Sequence, residues 1–359
     1  MRTRGLGILA AVGLVAAGAV GCGSSGGGDE AGGDEPEVRV AASMSVLQDM
    51  TEEVGGERAE VTTIVPVGAS VETFQPSPSD AQRISEADLV VQNGTGLETW
   101  MEDLIQSAGG EDKPVVELSE GLEPVDGGDE HAGEEHSDEA HSDEAHSEDE
   151  HSEDEHAGET HAEDEHSEEG HADEAHSEED AHGHAHAEGN PHFWLDVEHA
   201  EHYVEGIRDA LIRVDPEGEE TYRQNAEEYL AELAELDGYI AERAQEIPEE
   251  NRKLVTTHDA FPYFAEAYGF ELAGVVIQNP DAEPGSREVA EIVRTVEEEN
   301  VPAVFTEPQF NTGLADTIAA EAGVEVAELY SDTLVDEEAG ESYEAMMRTN
   351  IDRIVEALG

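Results

Sequence analysis

From His131 to His176 a histidine stands at every fifth position, and every residue between is Asp, Glu, Ser, Ala, Gly or Thr. The ladder comprises His131, His136, His141, His146, His151, His156, His161, His166, His171 and His176, and His182, His184 and His186 close the run. On an α-helix a step of five turns successive imidazoles by about 140°, so no face would form. With no apolar periodicity and dense like charge, residues 126–189 are expected to be a disordered His/Asp/Glu-rich loop. Any core must therefore be assembled from the text on either side of it.

That text is itself acidic. The chain carries 90 Asp and Glu against 16 Lys and Arg, a formal net charge of −74. Residues 127–190 hold 26 of the acids and no Lys or Arg, so most of the excess lies elsewhere. Such a polyanion repels phosphate backbones, which excludes nucleic acid as a partner. The only lysines are Lys113 and Lys253. A surface of this kind suits high salt; a compositional bias of the source genome would produce the same picture.

The start of the chain reads as an export signal. Arg2 and Arg4 precede an apolar run over 6–20, then Ala19-Val20-Gly21-Cys22 and a Gly/Ser tether. A short basic start, an apolar stretch too short to span comfortably and small residues before the break are the marks of a secretory signal over 1–21. Cys22 follows as in a bacterial lipobox, which makes it the expected acylated residue at the head of a tether over 22–36. Acyl chains would hold the protein at the outer face of a bacterial membrane. An ordinary signal peptide with an incidental thiol is the alternative. As the only cysteine, Cys22 also rules out a disulfide or multi-thiolate site within one chain.

From Val38 the sequence alternates strand and helix text. Strands are expected over 38–42, 61–65, 89–92 and 115–118, and helices over 43–54, 79–87 (capped by Ser79) and 97–108. After the ladder come helices over 197–212 and 219–247. Strands then follow over 253–257, 272–277, 303–306 and 324–329, with helices over 260–268, 286–299, 314–322 and 341–358. This predicts an α/β fold of two four-stranded lobes, each sheet mostly parallel, with a long helix between them. The expected divisions are a first lobe over 37–125, completed by 190–217, a linking helix over 218–248 and a second lobe over 249–359.

Ligands in α/β sheets bind outside the carboxyl ends of strands. Four candidates stand just past strands or at the return from the ladder: Glu72, His192, His258 and Asp332. Two imidazoles and two carboxylates make a mixed nitrogen/oxygen set suited to zinc, iron or manganese. Glu307 is a further carboxylate near a strand end, read first as structural or supporting and alternatively as a secondary metal ligand. Other readings stay open: a cleft histidine held only by hydrogen bonds, Glu72 as one solvated acid among many, Asp332 as a cap. His199 and His202 read as surface groups, and Phe193, Trp194, Phe261 and Phe264 as core.

Read in order, GASVETFQPSPSD (68–80), ADLVVQNGTGLETW (87–100), NPHFWLD (190–196), VTTHDAFPYFAEAYG (255–269) and SDT with SYEAMMRTNI (342–351) resemble the cluster A-I metal receptors of bacterial zinc and manganese ABC importers. The resemblance covers nearly all of the mature chain except the ladder. It implies two α/β lobes joined by a rigid helix, with a metal ion between them. His192 and His258 fall on family ligands, and Asp332 on the usual carboxylate ligand. His at the position of His258 is the zinc pattern; manganese receptors usually carry Glu there. Glu72 departs from the family, which normally has His at that place. A carboxylate can still coordinate zinc, and water or a ladder histidine could complete the shell.

The implied function is an extracytoplasmic, lipid-anchored, monomeric receptor that binds Zn²⁺ (alternatively Mn²⁺) and delivers it to an ABC permease, without catalysis. The ladder would be a low-affinity loop that raises the local zinc concentration beside the cleft, or an acidic spacer. Competing readings are a manganese or iron receptor, a metal-buffering adhesin and a metallohydrolase. The last lacks an H-E-x-x-H motif, and no histidine in the chain is followed by Glu.

Overall fold

The computed structural model describes residues 36–110, 112–125, 189–277, 285–310, 313–334 and 341–359. The expected signal segment, Cys22 and the ladder from His131 to His186 lie outside the described residues. Two four-stranded sheets carry the fold. The first consists of β1 (Val38–Ala42), β2 (Ala59–Thr63), β3 (Leu89–Gln92) and β4 (Val115–Glu117) in the order β2-β1-β3-β4. The second consists of β5 (Lys253–His258), β6 (Glu271–Ile277), β7 (Ala303–Thr306) and β8 (Glu325–Glu328) in the order β6-β5-β7-β8. Every pairing among the described residues is parallel. Both sheets thus repeat one strand order, with the first strand of each half, β1 or β5, in an interior position. Central parallel strands are covered on both faces and read as near-continuous apolar runs, as β1 and β7 do.

The helices are α1 (Ser45–Gly55), α2 (Pro78–Glu86), α3 (Met101–Ser107), α4 (Val197–Val214), α5 (Glu219–Ala244), α6 (Pro262–Tyr268), α7 (Ser286–Glu298), α8 (Gly313–Ala322) and α9 (Tyr343–Leu358). The 26 residues of α5 run about 39 Å at 1.5 Å each. Its buried stripe, Tyr222, Ala226, Tyr229, Leu233, Leu236, Ile240 and Ala244, recurs every three or four residues. This stripe packs on α1 and α4 of the first lobe and on α6 and α9 of the second. One hydrophobic core therefore runs from the first sheet through α5 to α9. A smaller separate core, including Val255, Val276, Val296, Val304 and Ile318, lies between the second sheet and α7 and α8.

Several boundaries differ from the sequence expectation for local reasons. Helix α1 starts at Ser45 because Ser43 still belongs to the strand end: its amide donates to Val91 O and its hydroxyl to buried Glu98. Helix α2 is capped by Ser77, not Ser79. The Ser77 amide and hydroxyl both donate to Oδ2 of Asp80 at 2.7 Å, and Pro78 occupies the first helical turn, where a missing N–H costs nothing. Strand β2 is assigned two residues earlier than expected, although Ile64 and Val65 still donate to Ala42 O and Ser43 O. Helix α3 starts at Met101, after a turn in which Gly94, Thr95 and Gly96 all have positive φ. His199 and His202 are half-buried rather than free on the surface. Nδ1 of His199 lies 3.4 Å from Asp196, and His202 Nε2 is 3.1 Å from Glu120 O.

Candidate metal centre

The carboxyl ends of both sheets face one cleft, and loops from each supply its side chains. Glu72 stands in the loop after β2, and His258 is the last residue of β5. Asp332 lies four residues beyond β8, and Glu307 directly follows β7. His192 arrives differently, between Pro191 and the single 3₁₀ turn Phe193–Leu195 that leads into α4. His192 is 0 % exposed, His258 1 % and Asp332 1 %, so whatever these groups bind is held out of bulk water.

Their functional atoms converge. The Nε2 atoms of His192 and His258 are 3.3 Å apart. Nε2 of His192 lies 3.4 Å from Glu72 Oε1 and 3.5 Å from Asp332 Oδ1. Nε2 of His258 lies 3.6 Å from Asp332 Oδ2. Glu72, His192 and His258 each offer a ligand atom within 4.8 Å of the others. Oδ1 of Asp332 is buried and accepts no hydrogen bond, a costly state unless a cation faces it. Two ligands of a tetrahedral ion with bonds of about 2.0–2.1 Å stand about 3.3–3.4 Å apart. The separations from His192 to His258 and to Glu72, 3.3 and 3.4 Å, are close to that figure, while Asp332 approaches the two rings through different oxygens, at 3.5 and 3.6 Å.

Each imidazole is held from behind. Nδ1 of His258 donates to Glu307, with 2.8 Å to Oε2, and the His258 amide also donates to Oε1 at 3.2 Å. Glu307 in turn accepts from the Ser331 hydroxyl, which accepts from Gln309 Nε2 at 2.7 Å. Nδ1 and the amide of His192 both donate to Oδ1 of Asn190, at 3.0 and 3.1 Å. The Asn190 amide group donates to Asp259 O at 2.6 Å, which fixes which end of the side chain meets the ring. With Nδ1 committed on both rings, Nε2 is the atom each presents to the cleft. Burial is the largest influence on His258 and pushes its pKa down. The Glu307 and Asp332 carboxylates together outweigh it and hold the ring well above the ordinary histidine range. Burial likewise pushes Asp332 up, and His258 and His192 more than reverse it.

The lobes are pinned together around these groups. Trp194 Nε1 donates to Ser331 O at 3.0 Å, and the Tyr343 hydroxyl donates to Trp194 O at 2.7 Å. Gly68 N, in the Glu72 loop, donates to the Thr333 hydroxyl beside Asp332 at 2.9 Å. Phe193, Trp194, Phe261 and Phe264 are fully buried core residues. The supporting parts played by Asn190, Ser331 and Gln309 were not legible in the sequence. Asn190 sits two residues before His192, but the Asn-Pro pair signals only a turn there.

Comparison with known proteins places this arrangement in context. The family model described as the zinc-uptake complex component A, periplasmic, matches residues 40–357. The manganese-binding lipoprotein MntA of Halalkalibacterium halodurans is 33% identical over 328 residues, covering 89% of this chain and 88% of that relative. Among solved structures, the periplasmic zinc binding protein TroA from Treponema pallidum superposes with a TM-score of 0.68 at 24% identity, over 90% of this chain and 99% of that one. The Mn-bound periplasmic metal binding protein from Candidatus Liberibacter asiaticus gives 0.66 at 22% identity, over 90% and 100%. These two structural likenesses speak to the fold: two parallel four-stranded lobes flanked by helices.

Proposed function

The chain belongs to the zinc-uptake complex component A family, the metal-binding receptors of ABC importers, and from that premise we propose that its cargo is Zn²⁺, bound by His192, His258, Asp332 and Glu72. It is a solute receptor rather than an enzyme, and its partners are a divalent metal ion and an importer permease. The observation that carries the zinc reading is the set of distances in the cleft. Nε2 atoms 3.3 Å apart, each 3.4–3.6 Å from a carboxylate oxygen, suit the edges of a tetrahedron. An octahedral ion with bonds of about 2.1 Å asks for edges nearer 3.0 Å. Imidazole also favours zinc over harder ions, and zinc stands above manganese in intrinsic affinity for such ligands.

Manganese is the second reading. Glu72 puts a second carboxylate where the receptor pattern has His, which hardens the donor set, and the relative from Halalkalibacterium halodurans is named as manganese-binding. Loading the metal-free protein with equimolar Zn²⁺ and Mn²⁺, then measuring the metal retained after gel filtration, separates the two. Zinc retained in clear excess supports the first reading, and manganese in excess replaces it.

The remaining parts follow the same reading. Cys22 is acylated and tethers a monomeric receptor outside the membrane, with the lobes and linking helix divided near residues 218 and 248. The ladder from His131 to His186 collects zinc weakly and releases it near His192. Because α5 is shared by one core running through both lobes, loading moves the lobes little, and the permease senses small shifts around the cleft.

A further inference from the structure

The segment that carries His192 lies directly against the one that carries His258. The Asn190 side-chain amide donates to Asp259 O, next to His258, at 2.6 Å. Further along that second segment, in the first turn of α6, stands Tyr263, which is 2 % exposed. Its hydroxyl donates to Asn190 O at 2.6 Å and accepts from Val125 N at 3.2 Å. Its ring stacks on Phe193, with centroids 4.5 Å apart and planes 26° from parallel. None of these contacts uses the Nε2 atom of either histidine.

A ring alone would fill the same space; what a buried phenol adds is a hydroxyl that must find partners. Here both partners are backbone groups of one neck, Val125 on the side before the ladder and Asn190 on the side after it. The two arms of that neck approach closely. Gly189 has a φ of +95°, and a Cβ there would meet Pro124 Cβ at 2.6 Å, so only glycine serves. Asn190 in turn accepts from the His192 amide and from Nδ1 of its ring. The Tyr263 hydroxyl therefore reaches the His192 ring through one intervening residue, from a helix that directly follows the strand of His258.

We propose that Tyr263 is a positioning residue for the metal centre: its hydroxyl, carried by the second lobe, fixes the His192 segment against the His258 segment and so sets the spacing of the two Nε2 atoms. The inference rests on the reading of the cleft as the metal site. Ring and hydroxyl contribute differently. Dispersion between stacked rings is non-directional and lets them slide at little cost, whereas a short hydrogen bond fixes a distance. Without the hydroxyl the segment stays attached but shifts by tenths of an ångström, and a zinc site tolerates only about 0.2 Å in its bond lengths. Glu307 holds one imidazole from behind; Tyr263 acts on the other through Asn190.

The test compares Tyr263→Phe with Tyr268→Phe in the full chain. Tyr268 lies on the same helix, but its hydroxyl donates to Asp237 at 3.0 Å rather than to the His192 segment. Three readouts are taken: zinc affinity by chelator competition, the visible bands of one equivalent of bound Co²⁺, which follow coordination geometry, and melting of the metal-free protein. Tyr263→Phe should weaken zinc binding about tenfold and alter the Co²⁺ bands. Tyr268→Phe should lower the melting temperature and leave both metal readouts as in the wild type. Phe193→Leu, which removes the stack and keeps the hydroxyl, should also alter the bands, and it carries the test if Tyr263→Phe does not fold. Wild-type Co²⁺ bands in Tyr263→Phe, or in Phe193→Leu where that variant carries the test, would overturn the proposal, as would a zinc loss in Tyr263→Phe no larger than in Tyr268→Phe. Bands that persist unchanged in His258→Ala would remove the reading of the cleft as the metal site, and this proposal with it.

Discussion

The Nε2 atoms of His192 and His258 face each other at 3.3 Å, one ring carried ahead of α4 in the first lobe and the other on β5 of the second. Neither lobe can form the site alone. Replacing either ring by Ala should weaken zinc binding by about 100-fold or more, roughly 3 kcal/mol or above. Chelator competition measures this, and a loss below about tenfold in either variant would mean that the ring is not a ligand.

Glu307 touches His258 through both its amide and its Nδ1, contacts that position the ring. Glu307→Gln should cost about 10–100-fold in zinc affinity. It should also lower the His258 pKa in the metal-free protein, because a carboxylate holding it up has been removed. NMR titration of the His258 ring reads that shift, and an unchanged titration would assign Glu307 a purely structural part.

Glu72 sets the hardness of the donor set. Glu72→His should raise the preference for Zn²⁺ over Mn²⁺ by about tenfold or more, read by competitive loading. A preference that stays put would place Glu72 outside the coordination shell.

Asp49 tests the packing of α1 against α9. Burial, only partly offset by the hydrogen bond from Tyr343 N, pushes its carboxyl from an ordinary 3.8 up to about 6. A carboxyl whose folded pKa is raised favours folding when protonated. Its contribution is complete below about pH 4 and is lost as the pH rises through about 6. Asp49→Asn keeps an acceptor for Tyr343 N, so it should be more stable than wild type by about 1–3 kcal/mol at pH 7.5. Below pH 4 the two should converge in denaturant titrations.

The chain on either side of the ladder is fastened at its neck. Asn190 N donates to Val125 O at 3.0 Å, and the Tyr263 hydroxyl donates to Asn190 O at 2.6 Å. Deleting residues 130–188 should leave the fold and one tight metal site intact while lowering the total metal bound. Calorimetry counts the sites, and an unchanged stoichiometry would remove the collecting role from the histidines.

Much of this was legible in the residues. Val38–Ala42 and Ala303–Thr306 are apolar runs bounded by turns, and local preference and burial agree there, so both strands fall where expected. The four residues of the cleft could be found because each stands just past a strand or at the return from the ladder, and because their order resembles a known family. The supports behind them were not legible. Glu307 lies 49 residues from His258 in the chain, and no local pattern joins them until β5 and β7 pair. The cap at Ser77 was within reach, since Pro78 marks the first helical turn.

The most direct measurement is anomalous diffraction at the zinc edge from the metal-loaded protein. The central claim predicts one strong peak in the cleft, about 2.0–2.1 Å from Nε2 of both His192 and His258, with Asp332 and Glu72 oxygens completing the shell. A cleft without that peak at stoichiometric zinc, or a peak bound through only one of the two rings, would contradict it.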